Sequence, residues 1–586
     1  MIRNYIGLAN TFHDSALAIV NAKGEVVFAE ATERYTQCKR AINMNPDLLV
    51  HTIDVIQKHC EIGAELIPAF SWSSKVRGVL GDRTRAMAAL NEDMTAKFGT
   101  LSQKHGSDSA SSTFILFAQH LFLGHPGLGL SFELTQGVGR SYRSGIGRQY
   151  DHHLTHAATG CLTSPFNEAV CAVIDGFGES RAFDCYVYEL GKLTSVEIPS
   201  ANSEDTRASL GFFYGTVCSL CGFNAMSGEE WKVMGLAPYG TMDDEIYDLL
   251  KSTIWVNGLS IESPSGYKAQ QIQHKLSKLR RKEHEPSITA ANIAYAGQRV
   301  FTEVLFKYLN NLYDKGISDN LVLAGGCALN SSANGQILSN TRFKQLHVFS
   351  APGDDGNAIG AALLAYQEDH PNYRPSQKYL TPYLGSSMSG ETLENVKKFG
   401  RIPKQTNCND DAPERAAEML SRGKIIGWVQ GRAEFGPREL GNRSILADPR
   451  SPGIKDAINS RVKFREEFRP FAPSILHEFG PQFFEHYQES PYMERTLKFR
   501  QEVADIVPGV VHHDGTGRLQ TVKKEWNERY YRLIRHFWKL TNVPLVLNTS
   551  FNVMGKPISH SVEDVLAVFY TTGLDAVFID DLLIEK

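Results

Sequence analysis

The chain has 586 residues, 42% hydrophobic and 22% charged, a soluble globular composition with length for roughly two to four folding units. Its 61 lysines and arginines against 65 acids give a formal charge of −4, without the basic excess of a dedicated nucleic-acid binder. No apolar run approaches the ~18 residues of a membrane span, and the opening residues lack a signal-peptide core. Nine scattered cysteines fit a reduced, cytoplasmic compartment better than a disulfide framework.

Residues 5–9, 16–20 and 26–29 read as strands, joined by the polar turn 11–15, which holds His13 and Asp14, and the turn 21–24. The same figure returns at 169–174, 185–188 and 193–196, its first turn carrying Asp175, Gly176 and Gly178. Two such meanders predict a duplicated α/β unit. Residues 293–312 keep one face apolar at helical spacing. Two strand–glycine loop–helix units follow, at 321–326 and 346–353, and the second feeds a small-residue helix around 360–365. The polar, proline-containing stretch 370–390 is the best linker, dividing 1–378 from 379–586.

Backbone N–H groups in acid- and glycine-bearing turns form anion nests, while the acids can hold metal or orient a nucleophile, although hairpin turns favour the same residues for backbone reasons alone. Asp175, Gly176, Gly178, Gly325, Gly326, Asn330 and Asn357 are the nucleotide-facing candidates of the first unit. Asp151 reads as a helix N-cap, which puts His152 and His156 four apart on one face, a spacing that suits two imidazoles on one metal ion. His153 points about 100° away. Asp354 is the third candidate ligand, with Asp355 the adjacent alternative.

Beyond residue 424 the chain becomes cation-rich. Arg432, Arg438, Arg443, Lys463, Arg465 and Arg469 are set among Gly, Pro and Phe rather than strung along a polar helix, which predicts an anion site. Arg518, Asn548, Ser550 and Asn552 offer a second wall. The lone Cys218–Cys221 pair reads as buried thiols, and His512–His513 as incidental.

An ordered set of motifs resembles the NodU/CmcH family of O-carbamoyltransferases over essentially the whole chain. It comprises Asn10-x-x-His13-Asp14-Ser15, Glu33-Arg34-Tyr35-Thr36, His152-His153-Leu154-x-His156-Ala157 and Lys232-x-Met234-Gly235-Leu236-Ala237-Pro238-Tyr239-Gly240. Gly325-Gly326-x-Ala328-Leu329-Asn330, Asp354-x-Gly356-x-Ala358, Phe435-Gly436-Pro437-Arg438, Phe468-Arg469-Pro470-Phe471 and Asn548-Thr549-Ser550-Phe551-Asn552 complete it. One departure is Glu439, where the family usually has alanine. It adds a negative charge near the anion site unless its side chain turns outward.

The resemblance implies an actin-like N-terminal domain, akin to tRNA threonylcarbamoyl transferases, and a YrdC-like α/β C-terminal domain. The second would convert carbamoyl phosphate and ATP, with Mg²⁺, into carbamoyl adenylate. The first would pass the carbamoyl group to a hydroxyl of a small secondary metabolite. By carry-over Arg438, Lys463 and Arg469 hold carbamoyl phosphate with help from Arg518, and His152, His156 and Asp354 hold Fe²⁺ or another divalent metal. His13 or Asp14 is the base, and Glu230 an acceptor contact. An actin-like kinase or ATPase would leave the arginine-rich region without a purpose. A tRNA-modifying enzyme is disfavoured by the charge balance. No nucleic-acid or membrane partner is expected, and the sequence does not reveal an oligomeric state.

Overall fold

The computed structural model describes residues 2–10, 13–42, 44–73, 142–179, 181–198, 208–376 and 378–586, so Thr11 and Phe12 of the first turn lie outside it. Apolar alternation and tight polar turns build the first meander as β1 (Arg3–Ala9), β2 (Ala16–Val20) and β3 (Val26–Ala31). β4 (Glu65–Phe70) runs parallel to β1, and the short β5 (Arg143–Ser144) and β6 (Arg148–Gln149) run parallel to β4. The order is β3-β2-β1-β4-β5.

The second sheet repeats this plan. β7 (Glu168–Gly178), β8 (Arg181–Glu189) and β9 (Lys192–Ser195) form an antiparallel meander. A small hairpin, β10 (Trp255–Asn257) with β11 (Ser260–Glu262), stands apart. β12 (Asn320–Ala324) and β13 (Gln345–His347) then add parallel strands, giving β13-β12-β7-β8-β9. Apart from β6, which pairs with β4 off this path, the two orders match strand for strand, which is the predicted duplication.

The helices His152–Leu162 and Asn357–Asp369 pack on each other and share one core with residues of both sheets. Ala157, Ala158, Ala358, Ala361 and Ala362 are fully buried there, and their small side chains permit the close approach. The predicted long helix spans Ala291–Tyr313 and buries the stripe Ala296, Val300, Val304, Leu305, Tyr308, Leu309 and Leu312.

The C-terminal unit is one mixed sheet of β14 (Gln405–Asn407), β15 (Ile426–Val429), β16 (Arg443–Ala447), β17 (Ala472–Leu476), β18 (Arg495–Lys498), β19 (Thr516–Val522), β20 (Leu545–Ser550), β21 (Ala576–Ile579) and β22 (Leu582–Glu585). Its order is β14-β22-β21-β15-β16-β20-β17-β19-β18. The helices Ala412–Ser421 and Glu528–Thr541 pack together and bury Leu420, Leu533, Ile534 and Phe537 in its core.

The two units are sewn together through backbone. A Cβ at Gly335 would collide with the carbonyl of Thr496. Asn334 donates to the Glu494 carbonyl at 3.0 Å, and Arg34 donates to the Gly436 carbonyl at 2.6 Å. Glu30, fully enclosed, lies 2.9 Å from His51 Nε2 and 3.3 Å from His560 Nε2, one histidine from each unit. Among the described residues the cysteines are free, and Cys218 and Cys221 are buried at the end of one helix as expected. No described helix is long and apolar enough to cross a membrane.

Candidate active site

The first constellation grows from a capped helix. Asp151 caps His152–Leu162, its Oδ1 accepting from Leu154 N at 3.1 Å. The cap starts the helix one residue before His152, so His152 and His156 rise from the same face and their Nε2 atoms stand 3.2 Å apart. The loop after β13 brings in Asp354, whose Oδ1 lies 3.5 Å from His152 Nε2 and 3.4 Å from His156 Nε2. The end of β7 brings in Asp175, Oδ2 at 3.4 Å and 3.7 Å from the same two nitrogens. Burial opposes charge on His152, but Asp175 and Asp354 outweigh it and push its pKa up to about 10. Asp175 falls to about 2, the two histidines overcoming burial and the neighbouring carboxylate.

These four residues form the metal-ligand group found among the described residues, all four donor atoms lying within 4.8 Å of one another. Ligands about 2.1 Å from one tetrahedral ion stand about 3.4 Å apart, the separation seen here. Two imidazoles and two carboxylates balance a divalent charge. Two ring nitrogens turned on each other at 3.2 Å either share one proton or flank a cation. Asn357, fully buried, sits 3.4 Å from His152 Nδ1 and leaves its own Oδ1 without a partner. Turning the amide over lets that oxygen accept from Nδ1–H and commits Nε2 to a ligand. The residues therefore fit a divalent metal. Trp72 stacks on His152 at 4.1 Å and closes the other side.

Asp175, in the turn predicted for it, faces the two histidines. Its Oδ1 accepts from Gly326 N at 2.9 Å, tying the glycine loop to the donor cluster. Gly325 has φ +88°, and a Cβ there would strike the Ile174 carbonyl, so only glycine keeps the loop this close to β7. Gly178 packs against the rings of His152 and His153, and Gly176 beside Phe212. Asn330 spends its amide inside the fold, exchanging bonds of 3.1 and 3.2 Å with Gln298 and capping Ala333 N, and Asn357 faces His152. Both asparagines make these bonds inside the fold. Asp355 is outside the donor group, and burial, reinforced by Asp14, pushes its pKa up to about 8. His153 is buried with both ring nitrogens unbonded.

Beside the cluster, His13 Nδ1 lies 2.9 Å from Asp14 Oδ2 and 3.8 Å from Asp354 Oδ2. Arg40 clasps Asp14 from behind, Nη2 to Oδ2 at 2.9 Å, and reaches across to the Ala225 and Met226 carbonyls. Burial would raise Asp14, but Arg40 and His13 hold it far below its ordinary value. Glu230 is nearby, raised by burial and sharing the field of Arg40 and His13.

The second constellation is cationic. Lys463 ends a π-helical turn, and its ammonium is held by the Ser550 carbonyl and by Asn552 Oδ1 at 2.7 Å. Burial and then Arg465 depress Lys463 well below the ordinary lysine value. Arg438 falls to about 9 through burial and repulsion from Arg518. Arg465 falls far through burial and Arg469, and Arg469 falls to about 10 through burial. Five cations crowd one another against Glu439 and Glu466, a cluster whose chemistry suits an anion.

Not every predicted cation reaches it. Arg432 donates to the Gly385, Val27 and Leu384 carbonyls. Arg443, fully enclosed, bonds the Gln430, Asn442, Ser386 and Gly431 carbonyls. Asn548 is enclosed between Ser474, Gln520 and the Glu439 carbonyl. These three brace backbone. Ser550 and Asn552 position Lys463, while Arg518 stays with the pocket, 3.7 Å from Glu439. Glu439 therefore points inward, since its neighbour is that guanidinium. Sequence reasoning missed Arg40 and Trp72, and placed Asn357 only among the nucleotide-facing candidates.

Residues 138–363 match the model described as Carbamoyltransferase N-terminus, and residues 417–586 that described as Carbamoyltransferase C-terminus. The chain is 35% identical over 450 residues to an uncharacterized protein, MJ1058, of Methanocaldococcus jannaschii, covering 75% of this chain and 73% of that one. It is 36% identical over 452 residues to nodulation protein NolO of Bradyrhizobium diazoefficiens, covering 74% and 79%. With nodulation protein NolNO of Sinorhizobium fredii it shares 37% identity over 447 residues, 74% of this chain but 63% of that longer one. Full-length HypF in a phosphate- and nucleotide-bound form is a distant structural likeness, with TM-score 0.35 and 11% identity over 62% of this chain and 55% of that one. The chain belongs to the carbamoyltransferase family.

Proposed function

We propose that the protein is an ATP-dependent O-carbamoyltransferase that makes carbamoyl adenylate in its C-terminal pocket and spends it in the N-terminal site. The observation that carries the reading is the pairing, in one chain, of a crowded cation pocket with a buried histidine–carboxylate cluster beside His13. The duplicated strand order supports an actin-like unit over 1–378, and the separate mixed sheet a YrdC-like unit over 379–586.

In the C-terminal pocket Arg438, Lys463, Arg469 and Arg518 bind the phosphates of carbamoyl phosphate and ATP, with Arg465 beside them. Carbamoyl phosphate, ATP and one water give carbamoyl adenylate, phosphate and pyrophosphate. Enclosed guanidinium groups hold the labile reactants and limit stray hydrolysis. In the N-terminal site the nucleotide packs against the backbone of the loop at Gly325 and Gly326, where no side chain intervenes. His152, His156, Asp175 and Asp354 would hold a divalent ion, iron by the family resemblance, which when bound neutralises charge on the nucleotide phosphate.

Asp14, kept ionised by Arg40, is a poor proton acceptor and instead orients His13 through Nδ1. His13 Nε2 then takes the acceptor's hydroxyl proton as that oxygen bonds the carbamoyl carbon. The bond from that carbon to the adenylate oxygen breaks, and AMP leaves with the electron pair. Glu230, in the field of Arg40 and His13, contacts the acceptor, a hydroxylated small molecule.

The test is incubation with carbamoyl phosphate, ATP, Mg²⁺ and a panel of hydroxylated metabolites, read by mass spectrometry. A product heavier by one carbamoyl group, formed only when both precursors are present, is the expected result. ATP consumption indifferent to carbamoyl phosphate would refute the reading.

A further inference from the structure

The segment from Lys463 to Pro470 carries three cations of the C-terminal pocket, yet it is seated on the N-terminal unit. Phe468 is buried in the core of the second sheet's half, with Phe223, Val233 and Leu236, its ring 6.2 Å from that of Phe223. The helix Trp231–Leu236 lies along this segment, Gly235 facing Pro470 and the Phe468 ring. The anchor fixes the backbone on which Glu466 and Arg469 stand.

Two side chains of that helix reach the cations. The Arg469 guanidinium lies 3.9 Å over the Trp231 ring. Glu466 divides its carboxylate, Oε1 taking Lys232 Nζ at 2.8 Å and Oε2 lying 3.4 Å from Arg469 Nη1. Lys232 is a buried ammonium, 7% exposed, also 2.7 Å from Glu229 and 5.3 Å from the centre of the Phe223 ring. Arg469 Nε is buried and has no hydrogen-bond partner. A planar cation fixed on an aromatic face, joined to Glu466 by a single 3.4 Å contact, keeps donors on its outer edge for an anion. The division of Glu466 matters equally. With Lys232 drawing one oxygen, the carboxylate cannot close on the guanidinium as a bidentate pair, which would occupy the donors a phosphate needs.

We propose that Trp231 and Lys232 are positioning residues of the anion pocket. The indole fixes the plane of Arg469, and the ammonium restrains Glu466. The pocket that activates the carbamoyl group therefore reaches full affinity for its phosphorylated substrate only with the transfer unit docked on it. This rests on the reading of that pocket given above.

The full-length protein is assayed for ATP consumption at varied carbamoyl phosphate as Trp231→Ala, Trp231→Phe, Lys232→Met and Lys232→Arg. Trp231→Ala and Lys232→Met are expected to raise KM for carbamoyl phosphate about tenfold, the scale of a desolvated cation–π contact. Their kcat is expected to change less than about twofold, the mark of lost ground-state binding. Trp231→Phe and Lys232→Arg recover most of the affinity. Lys232→Met combined with Glu466→Gln also recovers it, because the competing carboxylate is gone; a merely structural Lys232 would show no such recovery.

Calorimetric binding of inorganic pyrophosphate to the same variants gives a readout independent of turnover, again with an expected loss of about tenfold. Wild-type KM and pyrophosphate affinity in Trp231→Ala and Lys232→Met would overturn the proposal, as would a double variant no tighter than Lys232→Met. A wild type that binds pyrophosphate in this dependent manner but consumes no ATP with carbamoyl phosphate would sink the adenylation reading and leave the positioning intact. A wild type that binds no pyrophosphate and shows no such consumption overturns both.

Discussion

Arg438 gives the sharpest test of a pocket built at a cost to the fold. Burial, followed by the repulsion of Arg518, brings its pKa from 12.5 to about 9. A cation whose folded value is lowered weakens the fold wherever it is charged. The cost is fully present below about pH 9 and fades as pH rises toward the unfolded value, so stability climbs with pH across that window. At about 1.4 kcal/mol per decade the ceiling is about 5 kcal/mol. The side chain is only half-buried, and solvent on its open edge screens part of this, leaving about 2 kcal/mol. Arg438→Leu is therefore expected to stabilise the ligand-free protein at pH 7, read as a higher urea midpoint. It is also expected to lose the gain of about 2.7 kcal/mol that pyrophosphate at a hundred times its Kd gives the wild type. A variant less stable than the wild type, and still protected by pyrophosphate, would refute the reasoning.

Two further outcomes test the N-terminal site. Asp175→Asn is expected to weaken Co²⁺ or Fe²⁺ binding by more than about 100-fold, since loss of a direct donor should exceed the cost of an outer-shell change. Titration followed by the fluorescence of Trp72, stacked on His152, measures it, and unchanged affinity would return Asp175 to a purely structural role. His13→Asn is expected to leave pyrophosphate release from ATP and carbamoyl phosphate intact while transfer to the acceptor falls at least about 100-fold, the scale of a lost general base. An unaltered transfer rate removes His13 from the reaction.

What the sequence revealed was local. His152 and His156 were legible because an N-cap and a four-residue spacing set their directions within a single turn. The doubled meander was legible because alternation and turn chemistry repeat along the chain. The meeting of Asp175 with the histidine pair and Asp354 was not, because they stand on a helix and a loop brought to it only by the fold. The arginines divide for a similar reason. Arg438 and Arg443 are five positions apart in one glycine-rich run, yet four backbone carbonyls absorb Arg443 while Arg438 lies in the field of Arg518 and Glu439. Composition marks a cation but not how many carbonyl groups lie within its reach. Glu439 shows the converse, an inward carboxylate fixed by a guanidinium on a distant strand.

The burial of Phe468 has a bearing on synthesis. Its ring completes an apolar surface made from residues that leave the ribosome more than two hundred positions earlier. Until it arrives, the larger half of the nascent chain carries an unfilled socket worth about 2–3 kcal/mol. A product truncated short of that phenylalanine would hold every metal donor yet keep a sticky face, an invitation to chaperones and proteases before any chemistry begins.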